Sequence, residues 1–132
     1  MKDIGIDLGT TNILIYAKDE GIILNEPSVI AIDTETKEVL AVGEEANKML
    51  GRTPNRVRAI KPIKDGVIAD FEYTSKMLEE LLKKIKKRGT FKKNKVLICC
   101  PANITQVEKN AMYELAENIG TKKIYIEDEP KA

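Results

Sequence analysis

An α/β fold, a mixed sheet flanked by helices, follows from three features of this 132-residue sequence. The opening is strand-rich, with short β-type runs separated by turns of Gly, Asn and Asp. The second half reads as helix, strand, helix, strand, each with its own apolar period. The length supports one core without disulfide or metal staples, and no repeat, low-complexity run or linker marks a boundary between independent domains.

Each element has a local reason. Ile4, Ile6 and Leu8 alternate with Gly5 and Asp7, which suits a strand with one apolar face. Gly9-Thr10-Thr11-Asn12 breaks that run before Ile13–Ala17 resumes it. After the Asp19-Glu20-Gly21 turn come Ile22–Leu24 and Ser28–Ile32, and Val39–Val42 pairs back across the polar turn Asp33–Lys37. Gly43–Leu50 predicts a short helix ending at Gly51. Thr74 predicts the cap of a helix whose Met77, Leu78, Leu81, Leu82 and Ile85 share a face and whose stop is Gly89. Val96–Cys100 is a buried strand halted by Pro101. Thr105 and Glu108 have the spacing of a capping box. Val107, Ala111, Met112, Leu115, Ala116 and Ile119 form the stripe behind it, Gly120 ends the helix, and Lys123–Ile126 is the last strand.

Composition excludes several function classes. A hydrophobic content of 42% is too high for a disordered tail, and a net charge of +1 argues against a nucleic-acid partner. No apolar run approaches the roughly 20 residues of a membrane span, and the first residues carry no signal-peptide stretch, so the expected compartment is the cytoplasm. Cys99 and Cys100 are adjacent and would point to opposite faces of a strand, which suits structural thiols; with no His, a thiolate zinc site is nearly excluded. The charge is uneven. Residues 83–95 hold eight basic residues and no acid, against an acidic remainder.

The stretch richest in chemistry is Asp7-Leu8-Gly9-Thr10-Thr11-Asn12, and it lies between two strands. Loops that seat phosphate at a helix N-terminus have a different setting, and neither of their glycine signatures is present. A hairpin loop can hold phosphate by other means: Gly9 admits close approach, the amides of residues 9–12 can turn inward as a nest, and two hydroxyls can donate. Asp7 at the strand end suits Mg²⁺ held through water. The competing reading is an ordinary Gly-Thr-Asn turn beside a surface carboxylate.

That loop resembles the first phosphate loop of the actin-like ATPases, which have a ribonuclease H-like core. Within them the chain is most similar to the MreB/Mbl family of rod-shape cytoskeletal proteins. The likeness is carried by Leu24-Asn25-Glu26-Pro27-Ser28-Val29, by Ala41–Ala46 through Met49–Pro54, by Ile60-Lys61-Pro62 with Lys64–Phe71, and by Ile98–Pro101 with Ile104-Thr105 and Val107-Glu108. It covers essentially the whole chain. The heat-shock chaperones share the loop and a later Glu-Pro segment, but do not typically show the Gly51–Pro54 or Asp65–Phe71 stretches.

The resemblance implies the first subdomain of an actin-like ATPase with a small inserted α+β subdomain. Residues 1–31 and 95–132 would form the core part, and about 32–94 the insert and its linking helix. It implies ATP and Mg²⁺ as ligands, Asp7 as the Mg²⁺-side carboxylate, and Gly9, Thr10, Thr11 and Asn12 as the phosphate cradle. Glu129 would position or activate the attacking water; its plainer reading is a first-turn carboxylate at the start of a helix. It further implies self-association into filaments that maintain cell shape, work with the cell-wall elongation machinery, and lie peripherally at the inner face of the membrane. Phe91, Lys92 and Lys93 would touch an anionic surface there, the alternative being a solvated Lys-rich segment.

Two departures qualify this. Glu127 and Lys131 stand where the family normally has apolar residues beside Glu129. The sequence given stops where a connecting helix is expected, without the second phosphate loop or the adenosine-binding segment. The expectation is therefore weak or no ATP binding, and no useful hydrolysis, by these residues alone. The alternatives are a nucleotide-independent assembly module and a fragment of a chaperone-type ATPase.

Overall fold

The protein is described by a computed structural model covering residues 3–18, 20–50, 55–87, 95–101, 103–119 and 123–128. In chain order come β1 (Ile4–Leu8), β2 (Asn12–Ala17), β3 (Gly21–Pro27), β4 (Ile30–Asp33), β5 (Val39–Val42) and helix α1 (Glu44–Lys48). Next are β6 (Val57–Ile60), β7 (Ile63–Lys64), β8 (Val67–Ile68), α2 (Phe71–Lys87), β9 (Lys95–Cys100), α3 (Gln106–Ile119) and β10 (Lys123–Asp128).

The main sheet has the order β10-β9-β1-β2-β3 and is mixed. Hairpin neighbours β1, β2 and β3 pair antiparallel, while β1, β9 and β10 run parallel, the last two joined across α3. The period-2 alternation of β1 sends Ile4, Ile6 and Leu8 inward, beside Ile13 and Ile15 of β2 and Val96, Ile98 and Cys100 of β9. Met77, Leu78, Leu81, Leu82 and Ile85 of α2, all at 0% exposure, complete this cluster with Met112 of α3. Each such side chain contributes about 1.5–3 kcal/mol on burial, so this layer dominates stability. The opposite sheet face is more open, and Tyr16 and Tyr125 are 38% and 52% exposed. Cys99 is half-buried on that face and Cys100 fully buried, where its Sγ lies 3.5 Å from the Met112 Sδ.

A second sheet, β5-β4-β6, is antiparallel throughout and packs Val29, Ala31 and Ala41 against Ala46 of α1. The small residues let the helix lie close. β7 and β8 form a third, two-stranded unit. Its turn is Asp65-Gly66, with φ of 53° and 74°, the left-handed pair that a two-residue hairpin of this twist requires.

Several expectations change. The cap of α2 is Asp70, whose Oδ1 accepts from the Tyr73 amide at 3.0 Å. Thr74 is buried inside the first turn and donates its hydroxyl to the Asp70 carbonyl at 2.8 Å, because the helix starts at Phe71, three residues before this predicted cap. Val107 leaves the predicted stripe of α3: it stands in the first turn of the helix and is 78% exposed. The helix after Gly43 is only five residues long, and β4 begins at Ile30, not Ser28. Strands β6, β7 and β8 occupy a stretch where the pattern predicts no element. The capping box is present, with reciprocal bonds between Thr105 and Glu108 at 2.9 and 3.1 Å. The predicted stops at Gly51, Gly89 and Gly120 lie outside the described residues.

Candidate functional site

Parallel pairing brings the C-terminal ends of β1, β9 and β10 to one sheet edge, with Asp7 and Glu127 both in register with Cys99. Ligands in α/β sheets bind outside such strand ends. The turn from β1 into β2, residues 9–11, sits at this edge.

Asp7 is the last but one residue of β1, and its Oδ1 is buried with no hydrogen-bond partner. A desolvated carboxylate oxygen without a donor is costly unless something positive or hydrogen-donating reaches it. A metal-bound water supplies both. Mg²⁺, which usually keeps several of its own waters and uses few carboxylates, suits a single carboxylate of this kind.

The loop is closed by backbone bonds. The Gly9 amide donates to the Asn12 carbonyl at 3.2 Å, so it is turned into the loop instead of joining an outward nest. A Cβ at position 9 would lie 2.6 Å from that same oxygen, and only glycine lets the turn close. Ser28, 1% exposed, donates its hydroxyl to the Gly9 carbonyl at 2.7 Å and its amide to the Thr11 carbonyl at 2.9 Å. Asn12 donates through Nδ2 to Asn25 Oδ1 at 2.7 Å. Thr10 Oγ1 accepts from the Gly66 amide at 2.6 Å, which leaves its own O–H available to donate.

Beside the loop is a cleft of about 440 Å³, within the size range of small-molecule sites. Thr10, Thr11, Asn12 and Ser28 line it, and so do Lys61 and Lys64. Hydroxyls, an amide and two ammonium groups suit a polyanion such as a phosphate chain; Asp7 does not line this cleft, but it lies two residues before the loop and its orphaned oxygen suits a counter-cation reaching it through water. The residues present thus fit a nucleotide with Mg²⁺.

Of the candidates read from sequence, Asp7, Gly9, Thr10, Thr11 and Asn12 lie together. Glu129 follows Asp128, the end of β10, and lies with Phe91, Lys92 and Lys93 outside the described residues. Pattern reading missed Ser28, Gly66, Lys61 and Lys64, because each reaches the loop from a distant point in the chain. The one local signal was Asp65-Gly66 between apolar pairs, a strong hairpin mark.

The MreB/Mbl protein family model matches residues 1–132. The chain is 58% identical over 130 residues to the cell shape-determining protein Mbl of Bacillus subtilis (strain 168), covering 98% of this chain and 39% of that protein. It is 47% identical over 136 residues to cell shape-determining MreB of Escherichia coli (strain K12), covering 99% and 39%. Among solved structures, MreB5 of Spiroplasma citri bound to ADP superimposes with a TM-score of 0.77 at 35% identity, over 96% of this chain and 38% of that one. The same protein bound to AMPPNP gives a TM-score of 0.75. The chain spans about 39% of the length of the relatives it matches. With the phosphate-type loop at the strand ends and a match over all 132 residues, the chain belongs to the MreB/Mbl family of actin-like proteins.

Proposed function

We propose that these residues form one wall of the ATP site of a bacterial actin-like filament protein that maintains cell shape. The observation that carries this is the buried, unpartnered Oδ1 of Asp7 beside the Gly9-closed loop. That related MreB5 binds ADP and AMPPNP supports it. Asp7 would hold Mg²⁺ through water, and Thr10, Thr11 and Asn12 would hold phosphate oxygens by amide and hydroxyl donation, with Gly9 closing the turn that presents them. When bound, Mg²⁺ neutralises phosphate charge. Glu129 orients the attacking water and accepts its proton, help typically worth about 10²–10⁴-fold. The separate sheet β5-β4-β6 is what supports a division into a core part, 1–31 and 95–132, and an insert of about 32–94 with its linking helix; β4 itself starts at Ile30, and α2 packs on the main sheet.

One wall orders a phosphate chain without enclosing it, so the 132-residue chain binds ATP·Mg²⁺ weakly and does not hydrolyse it usefully. Filament assembly and cooperation with the cell-wall elongation machinery are proposed for the whole protein, since this chain spans about 39% of the length of its relatives. Location at the inner membrane face rests on the basic run around Phe91; no helix among the described residues is long and apolar enough to cross a membrane. Cosedimentation with anionic and neutral liposomes tests that location, and equal pelleting in both defeats it. Titration of ¹⁵N-labelled chain with ATP·Mg²⁺ tests the site. Amide shifts at Thr10–Asn12 that saturate in the millimolar range are expected. An undisturbed loop overturns the assignment, and micromolar affinity overturns its one-sidedness.

A further inference from the structure

We infer that Lys61 and Lys64 are phosphate-binding residues, adding positive charge to the 440 Å³ cleft that Thr10, Thr11 and Asn12 also line. The inference rests on the nucleotide reading above and adds to it two side chains far from the loop in sequence.

The observations are geometric. Both lysines line the cleft that Thr10, Thr11 and Asn12 line. Both are exposed, and neither has an ion-pair partner among the described residues, whereas Lys76, Lys83 and Lys84 each pair with a Glu. Their backbone is held firmly. Between them, Pro62 and Ile63 are buried, and the Pro62 carbonyl accepts from the Ala69 and Asp70 amides at 2.8 and 3.2 Å. Ile63 pairs with Ile68 and Lys64 with Val67. The hairpin is tied to the loop by the 2.6 Å bond from the Gly66 amide to Thr10 Oγ1. Two flexible ammonium groups therefore project from a fixed platform beside the phosphate loop, an arrangement that favours a multiply charged anion.

Asp65 lines the same cleft and offsets one of the two charges. Its φ of 53° is one that Asn adopts as readily, so Asp65→Asn removes the charge while keeping the turn. The electrostatic account thus predicts opposite signs: lysine removal weakens anion binding, and Asp65→Asn tightens it.

The test is titration of the ¹⁵N-labelled 132-residue chain with sodium tripolyphosphate, ATP·Mg²⁺ and AMP. Tripolyphosphate and ATP·Mg²⁺ are expected to shift amides at Thr10–Asn12 and at Ile63–Asp65 together, and AMP far less. In Lys61→Met/Lys64→Met, with an otherwise unchanged spectrum, affinity for both probes falls about five- to tenfold, as loss of charge-assisted contacts implies. Lys61→Arg/Lys64→Arg restores it, and Asp65→Asn raises it. Affinity of the methionine variant within twofold of the parent, with the loop still responding, overturns the inference and leaves the nucleotide reading intact. Silence of the loop toward every phosphate probe overturns both.

Discussion

Ser28 and Gly9 are 19 residues apart, yet the buried Ser28 hydroxyl donates to the Gly9 carbonyl at 2.7 Å while the Ser28 amide holds the Thr11 carbonyl. The end of β3 thus clamps the loop from beneath. Ser28→Ala leaves the Gly9 carbonyl without this donor and is expected to cost about 1–2 kcal/mol. Urea denaturation should show a lower midpoint with an unchanged slope. Faster amide exchange at Thr10 and Thr11 should accompany it, and unaltered exchange there would remove Ser28 from the site.

Gly9 and Gly66 are both needed, for different reasons. At Gly9 the obstacle is steric, since a Cβ meets the Asn12 carbonyl oxygen at 2.6 Å. At Gly66 there is open space, and the obstacle is the φ of 74°. Gly9→Ala should therefore open the loop, cost about 1–3 kcal/mol and abolish phosphate response. Gly66→Ala should cost about 1–2 kcal/mol with the Gly9 turn intact. Gly66→Asn, which tolerates left-handed backbone, should recover most of the loss. Thermal melts of the three variants check the order.

Asp7 separates stability from function. Its buried Oδ1 has no hydrogen-bond partner, and an unpaired buried polar atom is a burden on the fold. Asp7→Asn is expected to leave the melting temperature unchanged or higher, while Mg²⁺-dependent ATP affinity drops by about tenfold or more. A variant that loses stability and keeps Mg²⁺ dependence would show that this carboxylate is structural.

Asp33 carries a pH-dependent part of the stability. Its Oδ1 accepts from the Thr36 and Glu35 amides at 3.0 and 2.8 Å, and Arg56 approaches Oδ2 at 3.1 Å. The two amides first, then the guanidinium, hold the carboxyl below its ordinary range. A depressed folded-state pKa contributes stability above the unfolded value, about 3.9, and loses it as pH falls through the folded one. The stability difference between the parent and Asp33→Asn should be constant above about pH 5 and shrink below about pH 4. Parallel acid-denaturation curves for the two proteins would contradict this.

Local signals made much of the fold readable. Period-2 runs such as Ile4-Gly5-Ile6-Asp7-Leu8 and the helical stripe from Met77 to Ile85 announce their partners, because one face must leave water. The Thr105–Glu108 box was readable because both halves of the bond lie within one turn. Strands as short as Ile63-Lys64 and Val67-Ile68 carry too few residues for a period to emerge. Val107 followed the stripe by spacing, but what covers a helix's first turn is settled by its neighbours, and its 78% exposure depends on them.

The sequence by itself determined the class of fold, the apolar faces, the family through motifs such as Lys61–Phe71, and the loop Asp7–Asn12, since each depends on residues close in the chain. Only the tertiary structure decided what surrounds that loop: Ser28 bonded to Gly9, Gly66 bonded to Thr10, and Lys61 and Lys64 in the cleft beside it. It also left the Asp7 oxygen buried and without a donor. The reason is physical. Desolvation and charge at a site are sums over everything nearby in space, and most of what lies near Asp7 and its loop arrives from β3, β7 and β9, far along the chain.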